Sequence, residues 1–148
     1  MVCTINYYNY DTVLNFLKKM SPQFSPPLDD TLDLDKYANK LAKNATFLTC
    51  NYNGYINGII VFYPNQATYI LYIPLLWVDK DCRGNGIAKA MIKYLIEVYA
   101  NTGFLYIDLE VLKNNDIAYK LYFSLGFKII EDRFDKYLMR YLLNNSLY

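Results

Sequence analysis

The sequence predicts a single domain of the α/β (α+β) class, in which helices pack on a mixed, mostly antiparallel sheet of about six or seven strands. The chain has 148 residues, the size of one ordinary domain. Segments with helical spacing of apolar residues alternate with short segments typical of strands. A hydrophobic fraction of 54% against 20% charged residues is the composition of a chain that buries a core. We therefore expect residues 1–148 to form one domain.

The apolar pattern gives eleven predicted elements, in the order β-α-α-β-β-β-α-β-α-β-β. They are a strand at 2–5, helices at 11–20 and 34–42, strands at 46–50, 56–63 and 68–78, a helix at 87–99, a strand at 104–111, a helix at 117–125, and strands at 127–132 and 136–142. The helices have apolar residues three and four positions apart, whereas the strands are short apolar runs or strict alternations. A Pro-rich loop at 21–31 separates the first two helices.

Capping and turn residues mark where these elements begin and end. Asp11 and Asp33 are capping residue types at the start of the first two helices. Asn53 and Gly54 form a pair that suits a tight hairpin turn, because such a turn requires positive backbone angles. Gly126 is placed to close the last helix. These capping and turn residues therefore lie at the ends of the elements that the apolar pattern predicts.

Two strands carry features that depart from a plain core strand. In 104–111, apolar residues occupy one face, and Asp108 and Glu110 share the other. In 68–78, Pro74 interrupts an apolar strand and has no amide hydrogen for a ladder hydrogen bond. We expect a bulge or broken pairing near Pro74, or else an ordinary irregularity at an edge.

The composition excludes several classes of function. The chain contains no histidine, so Ser-His-Asp and Cys-His hydrolases are excluded. Its net charge of +1 offers no bulk field for nucleic acid or an anionic membrane. The longest apolar run, residues 69–78, is about half of what a spanning helix needs. Because the N-terminus lacks the pattern of a signal peptide, we expect a cytoplasmic protein. We expect neither nucleic acid nor a membrane as a partner.

The three cysteines predict neither a disulfide framework nor a zinc site. Cys3, Cys50 and Cys82 are odd in number, far apart and without Cys-x-x-Cys spacing. We expect free thiols or small buried side chains. No metal is predicted.

The most specific local feature is a Gly-bearing turn between a buried strand and an amphipathic helix, at residues 78–89. Such a turn gathers backbone N–H groups at the positive end of a helix dipole and suits a phosphate. A Walker A loop does not fit, because Lys89 stands where that pattern requires its second glycine. A dinucleotide fingerprint matches Gly84 and Gly86 but normally follows a first strand. A turn that binds no ligand is a further alternative.

Two segments resemble the GNAT superfamily of N-acetyltransferases. The first, Arg83-Gly84-Asn85-Gly86-Ile87-Ala88, is similar to the family's coenzyme A pyrophosphate loop, R/Q-x-x-G-x-G/A. The second, residues 115–127, is similar to its N-x-x-A-x-x-x-Y-x-x-x-G-F segment. Both occur in the family's order, and with the strand between them they cover about residues 76–127.

This resemblance implies acetyl-CoA as cosubstrate, with the fourth and fifth strands, 68–78 and 104–111, splayed around it. Backbone groups near the end of the fourth strand would contact the pantetheine arm and polarise the acetyl carbonyl. Backbone N–H groups of the turn would hold the pyrophosphate. The cofactor-binding residues implied are Leu76, Val78, Arg83, Gly84, Asn85, Gly86, Ile87, Ala88, Lys89 and Asn115.

The resemblance also implies catalytic roles. Tyr122 falls where the family places the general acid that protonates the departing CoA thiolate; helix packing is the alternative. Glu110 is the candidate base for the amine, with Asp108 second; a Tyr, a water chain or no dedicated base is also open, and Glu110 is otherwise an ordinary strand acid. Asn115 would contact the cofactor, cap its helix, or do both.

The acceptor implied is a small-molecule amine, and resemblance of residues 26–41 to members associated with surface polysaccharides suggests an amino sugar. In the family, the loop 21–31 and the connection 131–136 build the acceptor side. Their acids, which would attract a cationic amine or simply be solvated, are Asp29, Asp30, Glu131, Asp132 and Asp135. A protein N-terminus as acceptor and a non-catalytic acyl-CoA-binding domain are the alternatives. We expect a monomer or a homodimer.

Overall fold

The structure is a computed structural model that describes residues 1–143. The strands are β1 (Val2–Asn6), β2 (Thr46–Tyr52), β3 (Tyr55–Asn65), β4 (Ile70–Val78), β5 (Tyr106–Leu112), β6 (Lys128–Arg133) and β7 (Lys136–Leu142). The helices are α1 (Tyr10–Met20), α2 (Leu34–Asn44), α3 (Ile87–Tyr99) and α4 (Asp116–Leu125). Short 3-10 turns lie at Ser21–Gln23, Leu28–Asp30 and Lys80–Cys82. Among residues 1–143, none of the helices combines the length and the hydrophobicity of a membrane-spanning segment.

The strands form one sheet in the order β1-β2-β3-β4-β5-β7-β6. β4 and β5 are parallel, whereas β1 with β2, β5 with β7, and β6 with β7 are antiparallel. This confirms the predicted fold class and element order. The parallel register runs from Ile70 opposite Tyr106 to Ile73 opposite Leu109, and Pro74 is the next residue of β4. The splay of the two strands beyond this point stays a prediction.

The helix caps agree with the sequence except at α1. Asn9, not Asp11, is its N-cap, because the Asn9 side chain accepts a hydrogen bond from the Thr12 amide and Asp11 lies within the first turn. Asp33 caps α2 as predicted, through the Lys36 amide. Either Asn or Asp suits an N-cap, so residue type alone did not fix the helix start.

The predicted hairpin turn is present between β2 and β3. Asn53 has φ 56° and Gly54 has φ 81°, so both central residues are in the left-handed region that a two-residue turn of this kind requires. Gly126, with φ 105°, closes α4 as expected.

The described residues divide into two compact units. The first comprises residues 1–61 and 75–91, and helices α1 and α2 pack on each other within it. Tyr8, Phe16 and Phe47 form an aromatic cluster there, with Tyr8 edge-on to both partners. Its largest fully buried side chains are Phe47, Leu17, Met20, Leu41, Leu48, Ile59, Ile60 and Met91.

The second unit comprises residues 62–74 and those from 92 onward. It contains the register of β4 with β5 and the antiparallel pairs of β7. Its buried core includes Phe62, Leu71, Ile73, Ile92, Leu95, Ile107, Leu109, Val111, Phe127 and Met139.

The cysteine prediction was wrong for two of the three residues. Cys3 lies directly opposite Cys50 in the β1–β2 register, with Cα atoms 4.2 Å apart, and the two form a disulfide. Cys82 has a free thiol. The pairing was invisible in the sequence because 47 positions separate cysteines that only the sheet brings together.

Candidate functional site

The turn between β4 and α3 is hydrogen-bonded to strand β3 of the β2–β3 hairpin, within the first unit. The Asp79 amide donates to the Asn57 carbonyl at 2.8 Å, and the Cys82 amide donates to the Asp79 carbonyl at 2.8 Å. The Asn57 side-chain amide donates to the Cys82 sulfur. A Cβ at Gly58 would lie 2.8 Å from the Met91 sulfur, so this glycine lets α3 approach β3 closely. The start of α3 is therefore held near the end of β4.

The Gly-bearing part of this turn has the backbone of an anion site. Gly84 and Gly86 have φ 81° and 76°, and a Cβ at either position would meet open space. The first helical hydrogen bond of α3 runs from the Ala90 amide to the Gly86 carbonyl. The amides of Ile87, Ala88 and Lys89 precede it and so have no acceptor within the helix. Three N–H groups at the positive end of a helix dipole suit a phosphate.

The Arg83 guanidinium forms hydrogen bonds with main-chain carbonyl groups next to the turn. Its Nε donates to the Val78 carbonyl at 3.0 Å, and an Nη lies 3.5 Å from the Gln23 carbonyl. The Val78 carbonyl, expected to be available to a cosubstrate, is therefore already an acceptor for Arg83. Leu76 and Val78 are half-buried, and Lys89 is exposed on the first turn of α3.

Two cavities border this turn and the end of β4. One of about 450 Å³ opens beside the turn, and its walls include Tyr52, Cys82, Asn85, Gly86, Ile87 and Ala90. The other, of about 230 Å³, lies between α1 and the hairpin, against Phe16, Lys19, Tyr55, Ile56, Ile59 and Trp77. The first gives a ligand on the Gly-bearing turn a concave wall.

In the second unit, the Asp108 carboxylate forms an ion pair with Arg140. It is only 5% exposed, and its two oxygens accept from Arg140 at 2.8 and 2.9 Å. Asp108 stands opposite Arg140 in the β5–β7 register, and the guanidinium lies 4.2 Å from the centre of the Tyr106 ring. Asp108 raises the pKa of Arg140, because it stabilises the guanidinium charge. This bidentate pair leaves Asp108 poorly placed to act as a base.

Glu110 has a different environment. Its side chain is 27% exposed, one oxygen accepts from the Tyr72 hydroxyl at 3.1 Å, and the other lies 3.3 Å from Arg133. Burial, and then the Glu110 carboxylate, raise the pKa of Tyr72 to about 12. Arg133 also binds Glu131, at 3.0 and 3.2 Å. Two carboxylates thus share one guanidinium, which leaves an excess of one negative charge.

Tyr122 lies on α4 and is 8% exposed, with its ring centre 5.7 Å from that of Phe127. Burial raises the pKa of its phenol to about 12, so it is protonated throughout the neutral range. Asn115 is the N-cap of α4, and its side chain accepts from the Ala118 amide at 3.1 Å. The helix-cap interpretation of Asn115 is confirmed; its contact with a cosubstrate stays a prediction.

The predicted residues fall into two groups. Leu76, Val78 and the turn from Arg83 to Lys89 belong to the first unit, whereas Glu110, Asn115 and Tyr122 belong to the second. Some acids predicted for the acceptor side have partners: Asp29 accepts from Ser21, and Asp132 pairs with Lys113. Lys113 lowers the pKa of Asp132, and Arg133 lowers that of Glu131.

Sequence reasoning missed three residues at these sites: Gln23, Tyr72 and Arg133. Tyr72 shares a strand face with Pro74, and Arg133 lies in the connection expected to face the acceptor, but neither matches a motif. Within residues 1–143, no group of three or more acidic or cysteine side chains is arranged to hold a metal ion.

Residues 12–127 match the model of the acetyltransferase (GNAT) family. The chain belongs to this family. N-acetylaspartate synthetase of Xenopus tropicalis is 29% identical over 122 residues, which are 82% of this chain and 42% of that protein. The chain spans less than half the length of the curated relatives it matches.

Solved structures of GNAT proteins have the same fold. An acetyltransferase of the family from Streptococcus pneumoniae aligns with a TM-score of 0.71 and 24% identity, over 97% of this chain and 100% of that one. PaiA N-acetyltransferase from Thermoplasma acidophilum, solved with coenzyme A, aligns with a TM-score of 0.72 and 13% identity, over 96% and 99% of the two chains. This GNAT protein therefore has the fold of other members of its family.

Proposed function

We propose that this GNAT protein is an acetyl-CoA-dependent N-acetyltransferase that transfers the acetyl group directly to a primary amine of a small molecule. The observation that carries the proposal is the turn before α3. Its two glycines with positive φ, and the first amides of the helix, which have no acceptor within it, suit the pyrophosphate that the resemblance to the family's loop implies. A structural neighbour was solved with coenzyme A, which supports the same ligand here.

The turn binds the cosubstrate through backbone groups. The amides from Gly84 to Lys89 donate to the pyrophosphate, and the exposed Lys89 ammonium adds a positive charge. Arg83 contributes by donating a hydrogen bond to the Val78 carbonyl, rather than by contacting the cosubstrate directly. We expect no metal ion at this site, because the backbone donors and the Lys89 ammonium stabilise the phosphate charge.

Glu110 is the proposed base and Tyr122 the proposed acid. Glu110 accepts a proton from the acceptor ammonium, so the nitrogen lone pair attacks the thioester carbonyl carbon. The new N–C bond forms, the C–S bond breaks, and the sulfur receives a proton from the Tyr122 hydroxyl, so that CoA leaves as the thiol. The amide nitrogen loses its second proton to solvent, the Tyr122 phenolate regains a proton from solvent, and Glu110 releases the proton that it accepted. A buried phenol that is protonated at neutral pH suits this role, since it donates only to a developing thiolate.

The charge around Glu110 supports a cationic acceptor. Glu110 and Glu131 share Arg133, so an ammonium group meets one uncompensated negative charge. We assign the acceptor to small molecules because a relative that matches 82% of this chain is named as a synthetase of N-acetylaspartate. An amino sugar remains our candidate within that class.

The test is a transfer assay with acetyl-CoA and a panel of primary amines. The panel includes amino sugars, polyamines, amino acids and short peptides with free N-termini. We expect release of the CoA thiol with at least one small amine, and a product heavier by one acetyl group. Acetylation of peptide N-termini alone would overturn the small-molecule assignment. Tight acetyl-CoA binding with no transfer to any class would favour a non-catalytic acyl-CoA-binding domain.

A further inference from the structure

Gln23 is bound to the end of β4 through its side chain. Its Oε1 accepts from the Trp77 indole Nε1 at 3.0 Å and from the Lys80 amide at 2.9 Å. Both partners are obligate donors, so only the amide oxygen can face them. One half-buried side chain thus joins the loop 21–31 to the residues on either side of Val78.

The main chain of Gln23 adds to this link. Its carbonyl lies 3.5 Å from an Nη of Arg83, and the Nε of the same guanidinium donates to the Val78 carbonyl at 3.0 Å. Arg83 is the first residue of the proposed pyrophosphate loop, which lies within the Gly-bearing turn. Gln23 therefore contacts, directly or through Arg83, the last residues of β4 and the first residues of the proposed pyrophosphate loop.

Both ends of the link are firmly held. Ser21 is buried, and its hydroxyl donates to Asp29 at 3.0 Å while accepting from the Asp29 amide at 3.1 Å. The Trp77 ring is also buried, with the Lys19 ammonium 5.6 Å from its centre. A hydrogen bond between two fixed segments is more stable than one between mobile side chains, because less conformational entropy is lost in forming it. The hydrogen bonds of Gln23 therefore restrict the turn.

We propose that Gln23 is a positioning residue for acetyl-CoA: it fixes the end of β4 and the start of the turn so that the amides from Gly84 to Lys89 are preorganised for the pyrophosphate. This inference rests on the proposed function, which supplies the ligand. Preorganised donors bind more tightly because the ordering cost is met before the ligand arrives. Removal of Gln23 should therefore reduce affinity for acetyl-CoA.

The test compares three variants by calorimetric titration with acetyl-CoA. Gln23→Met keeps the side-chain length and removes the oxygen, so we expect about tenfold weaker binding from the loss of two hydrogen bonds. Gln23→Glu keeps an acceptor oxygen and should bind within about threefold of wild type at a salt concentration that screens its charge. Gln66→Met makes the same change at the chain's other glutamine, in the exposed β3–β4 turn, and should leave binding unchanged.

Trp77 supplies an independent readout because it is the only tryptophan in the chain. Its fluorescence emission should change in Gln23→Met, because the indole N–H loses its hydrogen-bond acceptor. The emission should be close to that of wild type in Gln23→Glu, which keeps an acceptor oxygen. A Gln23→Met protein that melts at a lower temperature yet binds acetyl-CoA with wild-type affinity would reduce Gln23 to a structural role and overturn the proposal.

The two proposals fail in different ways. If the wild-type protein does not bind acetyl-CoA, the proposed function fails and this inference with it. If wild type binds and Gln23→Met binds equally, only the positioning role is wrong. Should Gln23→Met not fold, Trp77→Phe removes one of the two donors to Gln23, and its affinity should fall about threefold; unchanged affinity would overturn the proposal.

Discussion

The Tyr72 hydroxyl donates to the Glu110 carboxylate at 3.1 Å, from one strand of the parallel pair to the other. Tyr72 stands opposite Asp108 in that register, and Glu110 is two residues further along the same face. Arg133 lies 3.3 Å from the other Glu110 oxygen. The proposed base is therefore oriented by two donors, one from β4 and one from β6, and neither belongs to a recognised motif.

Tyr72→Phe should lower kcat by about threefold to tenfold and leave the KM for acetyl-CoA unchanged. The variant removes one hydrogen bond that orients Glu110, the proposed base. Steady-state kinetics with the acceptor found in the amine panel measures the effect. Tyr7→Phe, at an exposed tyrosine, is the matched control. A rise in the KM for acetyl-CoA with constant kcat would contradict the orienting role.

Glu110→Gln should reduce turnover at neutral pH by about a hundredfold, the usual contribution of a general base. The deficit should shrink as the pH approaches the pKa of the amine, near 10 for an alkylamine, because the acceptor then loses its proton to water. A kcat/KM profile from pH 6 to 10 tests this. Glu97→Gln, on the exposed face of α3, is the control. A constant deficit at every pH would rule out the base role.

Tyr122→Phe should lower kcat at least about tenfold while acetyl-CoA still binds with wild-type affinity. The hydroxyl is assigned to the leaving thiolate, which exists only during transfer, so its loss should not affect the ground-state complex. Turnover assays and calorimetry on the same preparation separate the two effects. Unchanged turnover would remove Tyr122 from the mechanism.

The raised pKa of Tyr122 has a consequence for alkaline stability. Burial favours the neutral phenol in the folded protein, so its contribution to stability is complete below pH about 10 and is lost as the pH rises toward about 12. Wild type should therefore lose more free energy of unfolding between pH 9 and 11 than Tyr122→Phe, measured by urea denaturation. Parallel losses in the two proteins would contradict the buried, neutral state of Tyr122.

Gly84→Ala and Gly54→Ala form a matched pair, since both glycines have φ 81° and open space at the Cβ position. Each substitution should cost about 1 kcal/mol of folding stability, because a side chain disfavours this backbone conformation. Only Gly84→Ala should also weaken acetyl-CoA binding, by disturbing the amides that follow it. Thermal denaturation and calorimetry measure the two effects. Equal affinity in both variants would show that the turn is not the pyrophosphate site.

Local sequence signals predicted the fold well wherever neighbouring residues decide the structure. The Asn53-Gly54 turn, the Asp33 and Asn115 caps and the closing Gly126 depend on backbone preferences within a few residues, and each was found in place. The cap of α1 was misassigned to Asp11 because Asn9 and Asp11 are both competent capping types two positions apart.

The rest of the site depends on contacts between distant segments, which no local pattern encodes. Gln23 meets Trp77 across 54 positions, and Tyr72 meets Glu110 across 38. Asp108 and Glu110 lie on one strand face and were the first two candidates for the base in the sequence, and only the register with β7 gave the buried Asp108 an arginine partner. The backbone conformation of the turn was predictable because glycines mark positions with positive φ, as at Gly84 and Gly86.

The most direct test of the account is calorimetric titration of the purified wild-type protein with acetyl-CoA, with free CoA and NAD as parallel ligands. We predict micromolar binding of acetyl-CoA, about 8 kcal/mol, weaker or similar binding of CoA, and none of NAD. Binding of NAD in preference to both CoA forms, or no binding of any of the three, would contradict the assignment of the turn and every catalytic role that depends on it.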